Sequence, residues 1–288
     1  MYQNNEYLRQ YDWNRQLRAE CDNCFGLCCA ALYFSASEGF PIDKDAGRPC
    51  INLKQDFRCC VHDNLMEHGF KGCVAFDCFG AGQKVAQVSF GGHDWREVPK
   101  SAKQMFEVFL IMRQLHELLW YLTEALTLEP TKLIQGEIIS MLNKIEQLTY
   151  LSPDFLMELD VAIHRANVDT LLLKTSELVR ANARSGQKPH PGRQKNFKRG
   201  DDLAAADLRK IDLRGAYFRG ACLIAADLRE TDLNGADFIG ADLRDADLRG
   251  ADLTGSIFLT QAQVNTAKGD KNTKLPASLI RPAHWAIL

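Results

Sequence analysis

From residue 201 to 260 the chain repeats every five residues, and AADLR, GADFI, GADLR, DADLR and GADLT are variants of one pentad. Its large apolar centre is Leu203, Leu208, Leu213, Phe218, Leu223, Leu228, Leu233, Phe238, Leu243, Leu248, Leu253 and Phe258, with Ala at most positions two residues earlier. A helix needs an apolar residue about every 3.6 positions and a strand every second one, so a strict period of five fits neither. It does fit a square solenoid, in which each pentad makes one side and the chain turns a corner between sides.

Every fourth centre is Phe, at 218, 238 and 258, so four pentads per coil stack these rings above one another. The same register stacks Asp207, Asp227 and Asp247 beside Arg209, Arg229 and Arg249, a ladder of alternating sign. Gly215, Gly220, Gly235, Gly240, Gly250 and Gly255 suit corners that need unusual backbone angles. The segment resembles the pentapeptide-repeat family, A-(D/N)-L-x-x. The resemblance implies a right-handed quadrilateral β-helix of about three coils. So short a stack leaves two open ends, and caps are expected. The tail supplies one, with Leu275, Pro276, Leu279, Ile280, Pro282, Trp285, Ile287 and Leu288.

The rest of the 288 residues divides by charge. Residues 1–183 carry a net −6, 184–200 a net +6, 201–260 a net −5 and 261–288 a net +3. The sum is only −2, which opposes a strongly electrostatic nucleic-acid binder. No apolar run approaches the roughly 18 residues of a membrane helix. The first twenty residues are polar and mixed in charge, so no secretory signal is read and a cytoplasmic location is expected.

Residues 101–183 read as helices. Ser101 with Gln104 forms a capping-box pattern. Phe106, Phe109, Leu110, Leu115, Leu118, Leu119, Leu122 and Leu126 follow at helical spacing. Pro130 opens a second helix bearing Leu133, Ile134, Ile138, Leu142, Ile145 and Leu148. Ser152 and Pro153 start a third that runs to Ala183, stopped by Gly186. Segment 184–200 is a basic Pro/Gly linker, read as a solvated hinge. The expected architecture is an α+β multidomain chain: a Cys-rich metal-binding domain (1–98), a central helical bundle (99–183), the linker (184–200), the β-helix (201–260) and a cap (261–288).

Nine of ten cysteines fall between Cys21 and Cys78. In a reducing compartment structural disulfides are rare, and adjacent thiols such as Cys28 and Cys29 are poorly placed to bridge each other. Thiolates at two- to four-residue spacing suit zinc or an iron–sulfur cluster, because one short loop wraps the ion. A bound cation also organises a segment with little apolar pattern of its own. The pattern C-x2-C-x3-C-C, a further Cys, then C-x-V-H and C-x4-C is similar to a bacterial cysteine-cluster family described as zinc- or iron-chelating. That resemblance implies Cys21, Cys24, Cys28, Cys29, Cys50, Cys59, Cys73 and Cys78 as ligands. CVAFDC lacks the Arg and Pro usual inside the last motif, and Cys60 is additional.

His62, three residues after Cys59, is the best histidine candidate; His68 and His93 read as plain polar residues. His116 and Glu117 read as packing or a solvated helix edge. FGAGQ at 79–83 lacks the Lys-Ser/Thr of a phosphate loop. Beside the Phe column, Tyr217, Ile239, Ile257 and Leu259 leave an apolar strip, expected to meet the cap.

The function expected is a non-enzymatic, metal-stabilised protein-interaction or scaffold protein with unidentified protein partners. One alternative is an enzyme using a zinc or iron–sulfur centre in the cysteine cluster. Another comes from the pentapeptide-repeat resemblance, some of whose members bind DNA gyrase by imitating duplex DNA. Three coils at about 4.8 Å span roughly 14 Å, or about four base pairs, which is short for such a mimic.

Overall fold

The computed structural model describes residues 16–185, 193–194, 196–209 and 211–286. Its helices are α1 (Leu27–Ala31), α2 (Lys71–Val74), α3 (Ala81–Gln83), α4 (Ala102–Thr127), α5 (Gln135–Leu148), α6 (Pro153–Met157), α7 (Val161–Arg184) and α8 (Gln261–Thr266). α3 runs on into a π-helical turn, Lys84–Ser89. Two-residue strands β1 (Arg193–Gln194) and β2 (Ile211–Asp212) pair in parallel. Contacts divide the chain into Met1–Leu126 with Ile134–Leu171, and Thr127–Leu133 with Leu172–Leu288.

In the second unit the period of five becomes a four-sided coil. Parallel bridges join Asp207 to Asp227 and Asp227 to Asp247, twenty residues per coil. The backbone ladder repeats in step, with Leu223 N–H donating to Asp242 at 2.9 Å and Leu228 N–H to Asp247 at 2.9 Å. Phe218, Phe238 and Phe258 are fully buried, and the first two rings lie 5.4 Å apart. Described corners at every fifth residue from 205 to 250 have positive φ, at Ala205, Ala225, Glu230 and Asp245 as well as at glycines. The ladder thus imposes the left-handed corner even where the residue resists it. Gly255 departs from this reading: its backbone is ordinary, and it lies against the Asn234 side chain.

The outer ladder is continuous. Arg229 meets Asp227 at 2.6 Å and reaches Asp247 of the next coil at 3.6 Å, while Arg209 joins Asp207 at 2.8 Å and Asp227 at 3.2 Å.

Pairing starts upstream of the expected boundary. Arg193 and Gln194 already pair with Ile211 and Asp212. Phe197, read as part of a solvated hinge, is buried with its ring 4.9 Å from Phe218, because the first Phe of the column needs a cover. Gly186 lies outside the described residues.

At the other end a capping box between Thr260 and Gln263 starts α8. Gln263 donates its amide to the carbonyls of Phe238 and Ala241, both at 2.8 Å. Lys268 and Lys274 then bridge to Asp247 and Asp252, and the buried Trp285 indole donates to Ala267 at 2.9 Å. Leu279 and Pro282 are buried, Leu275 is half-buried and Ile280 is exposed. Ile287 and Leu288 lie outside the described residues.

The side beside the Phe column is met not by the tail alone but by the end of α7. Arg180 and Arg184 donate to the Gly215 carbonyl at 3.0 and 2.6 Å, and Arg180 stacks 4.4 Å over the Tyr217 ring. The approach is close enough that a Cβ on Gly235 would sit 2.4 Å from that of Ala183.

The first unit is built on α4, which buries Met105, Val108, Phe109, Met112, Leu115, Leu119 and Leu122, while α5 buries Ile138, Leu142 and Ile145. Leu110, placed on this face by its spacing, is 40% exposed, and Leu133 of the second unit is 92% exposed. The Ser101 capping box does not form: Ser101 donates to the Val98 carbonyl and Gln104 to Asp154. The single helix expected from Pro153 is two, because the Asp160 carboxylate accepts from Ala162 N–H and opens a new N-terminus.

Candidate metal centre

Short elements joined by reversals carry the thiols. Phe25 (φ 52°) and Gly26 (φ 64°) turn the chain sharply after a 3-10 turn, Cys21–Asn23. The turn lets α1 point Cys28 and Cys29 back towards Cys21 and Cys24. Only glycine fits at 26, where a Cβ would meet Leu53 and the Phe57 carbonyl. Leu53 bridges Cys59, and Cys50 N–H donates to the Cys29 carbonyl at 2.9 Å. α2 carries Cys73, and Cys78 precedes the left-handed pair Phe79 and Gly80.

Seven of the eight ligand candidates, Cys21, Cys24, Cys28, Cys29, Cys59, Cys73 and Cys78, line one cavity of about 390 Å³. Cys50 is buried but is not part of that wall. His62 and Asp77 join the lining; Cys60, His68 and His93 do not. Aromatic and apolar groups, among them Phe34, Phe40, Phe76 and Phe109, complete it.

The sulfurs share protons. Cys24 hydrogen-bonds Cys21 and pulls that thiol down to about 6. Cys29 does the same for Cys59, also to about 6, and lowers Cys28, whose sulfur lies 3.9 Å away. The same bonds push the donors Cys24 and Cys29 upward. Burial raises Cys50, and pushes Cys73 and Cys78 up to about 12. The charge of His62 favours thiolate at Cys21 and Cys59. Among the described residues, no three His, Cys, Asp or Glu side chains converge closely enough to form a complete metal shell.

The donor set nonetheless suits a soft cation. A tetrahedral zinc site with bonds of about 2.3 Å has a sulfur–sulfur edge of about 3.8 Å, close to the Cys28–Cys29 separation. A thiol must lose its proton to ligate a cation, and Cys21, Cys28 and Cys59 are the ones lowered towards thiolate.

Residues the sequence reading passed over hold this region together. Lys44, inside a run of charges, donates to the Leu32 carbonyl and to those of Asp45 (3.1 Å) and Arg48 (2.7 Å). Burial lowers its pKa, while the nearby thiols of Cys50, Cys29 and Cys28 oppose that shift. The Trp95 indole donates to the Phe25 carbonyl at 2.9 Å, fixing the reversal. Arg96 lies 4.2 Å over the Phe57 ring and donates to the carbonyls of Gln55 and Lys54. None belongs to a motif; only the concentration of Trp, Arg and Phe near the cysteines hinted at a packed scaffold.

The FGAGQ glycines serve packing. A Cβ on Gly80 would strike the Gln16 carbonyl, and one on Gly82 would crowd Cys24. His116 is buried, its Nδ1 donating to the Phe79 carbonyl at 2.8 Å.

Comparison with known proteins gives one long match. The chain is 58% identical over 269 residues to the uncharacterised protein YybG of Bacillus subtilis (strain 168), covering 93% of this chain and 95% of that one. The family described as pentapeptide repeats (8 copies) matches residues 202–235 and 221–258. The chain is a pentapeptide-repeat protein of the YybG family. The crystal structure of a pentapeptide-repeat protein from the Arabidopsis thaliana thylakoid lumen is 32% identical over 31% of this chain. The match covers 59% of that structure's chain, with a TM-score of 0.23. Among the described residues no helix is long and apolar enough to cross a membrane.

Proposed function

We propose that this pentapeptide-repeat protein is a metal-stabilised interaction protein of the cytoplasm, without catalytic activity of its own. In this reading Cys21, Cys24, Cys28, Cys29 and Cys59 form the near cluster of ligands. Cys73 and Cys78 complete the cage across the cavity, with Cys50 drawn in from behind Cys29. The observation that carries it is the convergence of seven thiols, distant by up to 57 residues in sequence, on one cavity wall. Zinc suits the sulfur set and would contribute folding free energy to a region built from short turns. The solenoid supplies a rigid surface for a protein partner. Its Arg–Asp ladder neutralises the acidic columns, which opposes duplex mimicry and hence a gyrase-binding role.

A second reading rests on the size of the cavity. About 390 Å³ exceeds what a lone zinc ion fills, and room beside the thiols suits an iron–sulfur cluster or an open coordination position for chemistry.

Anaerobic purification, an absorption spectrum and elemental analysis test both. A colourless protein with about two zinc ions supports the first reading, and a brown one absorbing near 400 nm supports a cluster. Protein free of metal, with Cys28→Ser unchanged in thermal stability, overturns the site.

A further inference from the structure

A second cavity, of about 570 Å³, lies in the first unit beside the thiol cavity, with Glu20 and Gln83 in the walls of both. Its lining mixes apolar surface with several polar side chains, most of which are already engaged. Gln83 accepts from Glu20 N–H at 3.2 Å and donates to the Arg18 carbonyl at 2.6 Å. Gln87 donates to the Asn23 carbonyl, and the Thr149 hydroxyl donates to the Glu146 carbonyl. Three of the remaining groups carry the argument for a ligand. Each comes from a different element: Lys84 from the π-helical turn, His116 from α4 and Glu146 from α5.

Lys84 is the unusual one. Its ammonium lies 3.2 Å from the centre of the Tyr150 ring and forms no ion pair among the described residues. Burial pushes its pKa down to about 8, with Glu146 only partly opposing. A cation held over an aromatic face at a cavity wall is an incomplete site for an anion. The π-helical turn at its base is a strained local geometry that concentrates at functional positions. His116 supplies the opposite character. Its Nδ1 must carry the proton to donate to the Phe79 carbonyl, so in the neutral ring Nε2 is an acceptor. The Glu146 carboxylate is a second acceptor, and a charged one. Besides the Glu20 carboxylate, which accepts from the Asn23 amide at 3.2 Å, the cavity therefore presents one cationic donor and two acceptors, one of them anionic.

We propose that this cavity binds a small amino-carboxylate, a free α-amino acid or a close analogue. Lys84 takes the carboxylate, while Glu146 and His116 Nε2 receive the ammonium protons. Leu17, Val88 and Leu119 offer the apolar surface for a side chain. Glu20 and Gln83 wall off this site from the thiol cavity, so its test is read on the full chain with any metal retained.

The experiment is thermal denaturation with each proteinogenic L-amino acid, followed by titration calorimetry of whichever shifts the midpoint. Glycolate and lactate serve as hydroxy-acid controls for glycine and alanine. The expected result is stabilisation by one or a few amino acids and none by hydroxy acids. Lys84→Met and Glu146→Gln should each weaken binding by about thirtyfold or more, the loss expected when one partner of an enclosed charge pair is removed. Because a variant can misfold, amide hydrogen exchange of the wild-type chain is also followed with and without the amino acid. The bound amino acid should slow exchange over Lys84–Ser89 and leave the solenoid amides unchanged. Absence of any shift across the panel overturns the proposal. So does a shift that persists in Lys84→Met, binding of the hydroxy acids as strong as that of their amino counterparts, or hydrogen exchange over Lys84–Ser89 indifferent to the ligand.

Discussion

The solenoid and the cysteine region reach order by opposite routes. In the solenoid each group meets its own copy one coil away: Phe on Phe, Asp beside Arg, peptide on peptide. Losing one contact leaves the same contact intact above and below. In the cysteine region each tie is made once, between residues far apart in sequence, as Trp95 to Phe25 or Arg96 to Gln55. Repetition makes a structure that tolerates local damage. A region of unique ties has no such redundancy, and in the function proposed above a cation in the thiol cavity would hold them.

The largest effect that sharpens this contrast is metal removal. With the proposed cation chelated, amides of residues 20–98 should lose slow hydrogen exchange while those of 201–274 retain it, because structural zinc contributes about 10–16 kcal/mol to folding small sites. Equal loss in both regions would break the comparison. Next comes Phe238→Ala, which empties the middle of the aromatic column. It should destabilise the solenoid by about 3–5 kcal/mol in chemical denaturation and leave metal content unchanged.

Acid should strike the first unit through His116, which burial holds down to about 4 against an ordinary 6.5. Its neutral form belongs to the fold. The stability it brings is therefore complete above 6.5 and is lost as pH falls from 6.5 through 4. The loss approaches about 3 kcal/mol at about 1.4 per unit. His116→Asn keeps a donor for the Phe79 carbonyl and should flatten the pH slope of stability in that window.

Gly235→Ala should destabilise by about 1–3 kcal/mol, combining overpacking with a left-handed backbone. Ala183→Gly should restore part of it, a coupling readable in a double-mutant cycle. Smallest of all is Arg229→Gln, an exposed rung whose effect on the thermal midpoint should vanish in high salt.

The same contrast decides how much could be read from the sequence. Periodicity exposed the coil, the Phe column and the Asp–Arg rungs, since each follows from counting residues. Phe197 escaped because it precedes the period and sits in a basic stretch, although it covers the first ring. The break at Asp160 escaped because helix propensity on both sides hid a side-chain cap. In the cysteine region the thiols were legible as a group by spacing alone. Their scaffold was not, because Lys44 and Arg96 act on carbonyls that any residue can offer. The cavity around Lys84 was equally hidden, since its three groups come from separate helical elements with no shared motif.

The way the coil stack finishes has a consequence for self-association. A bare end of such a tube would present a ready template on which a second molecule could continue the winding, molecule after molecule, into a fibre. Here Gln263 occupies the carbonyls of Phe238 and Ala241, and the Trp285 indole closes over Gly269. Gln263 and Trp285 block growth from that face of the coil, so removing residues 261–288 should bare it and promote polymerisation.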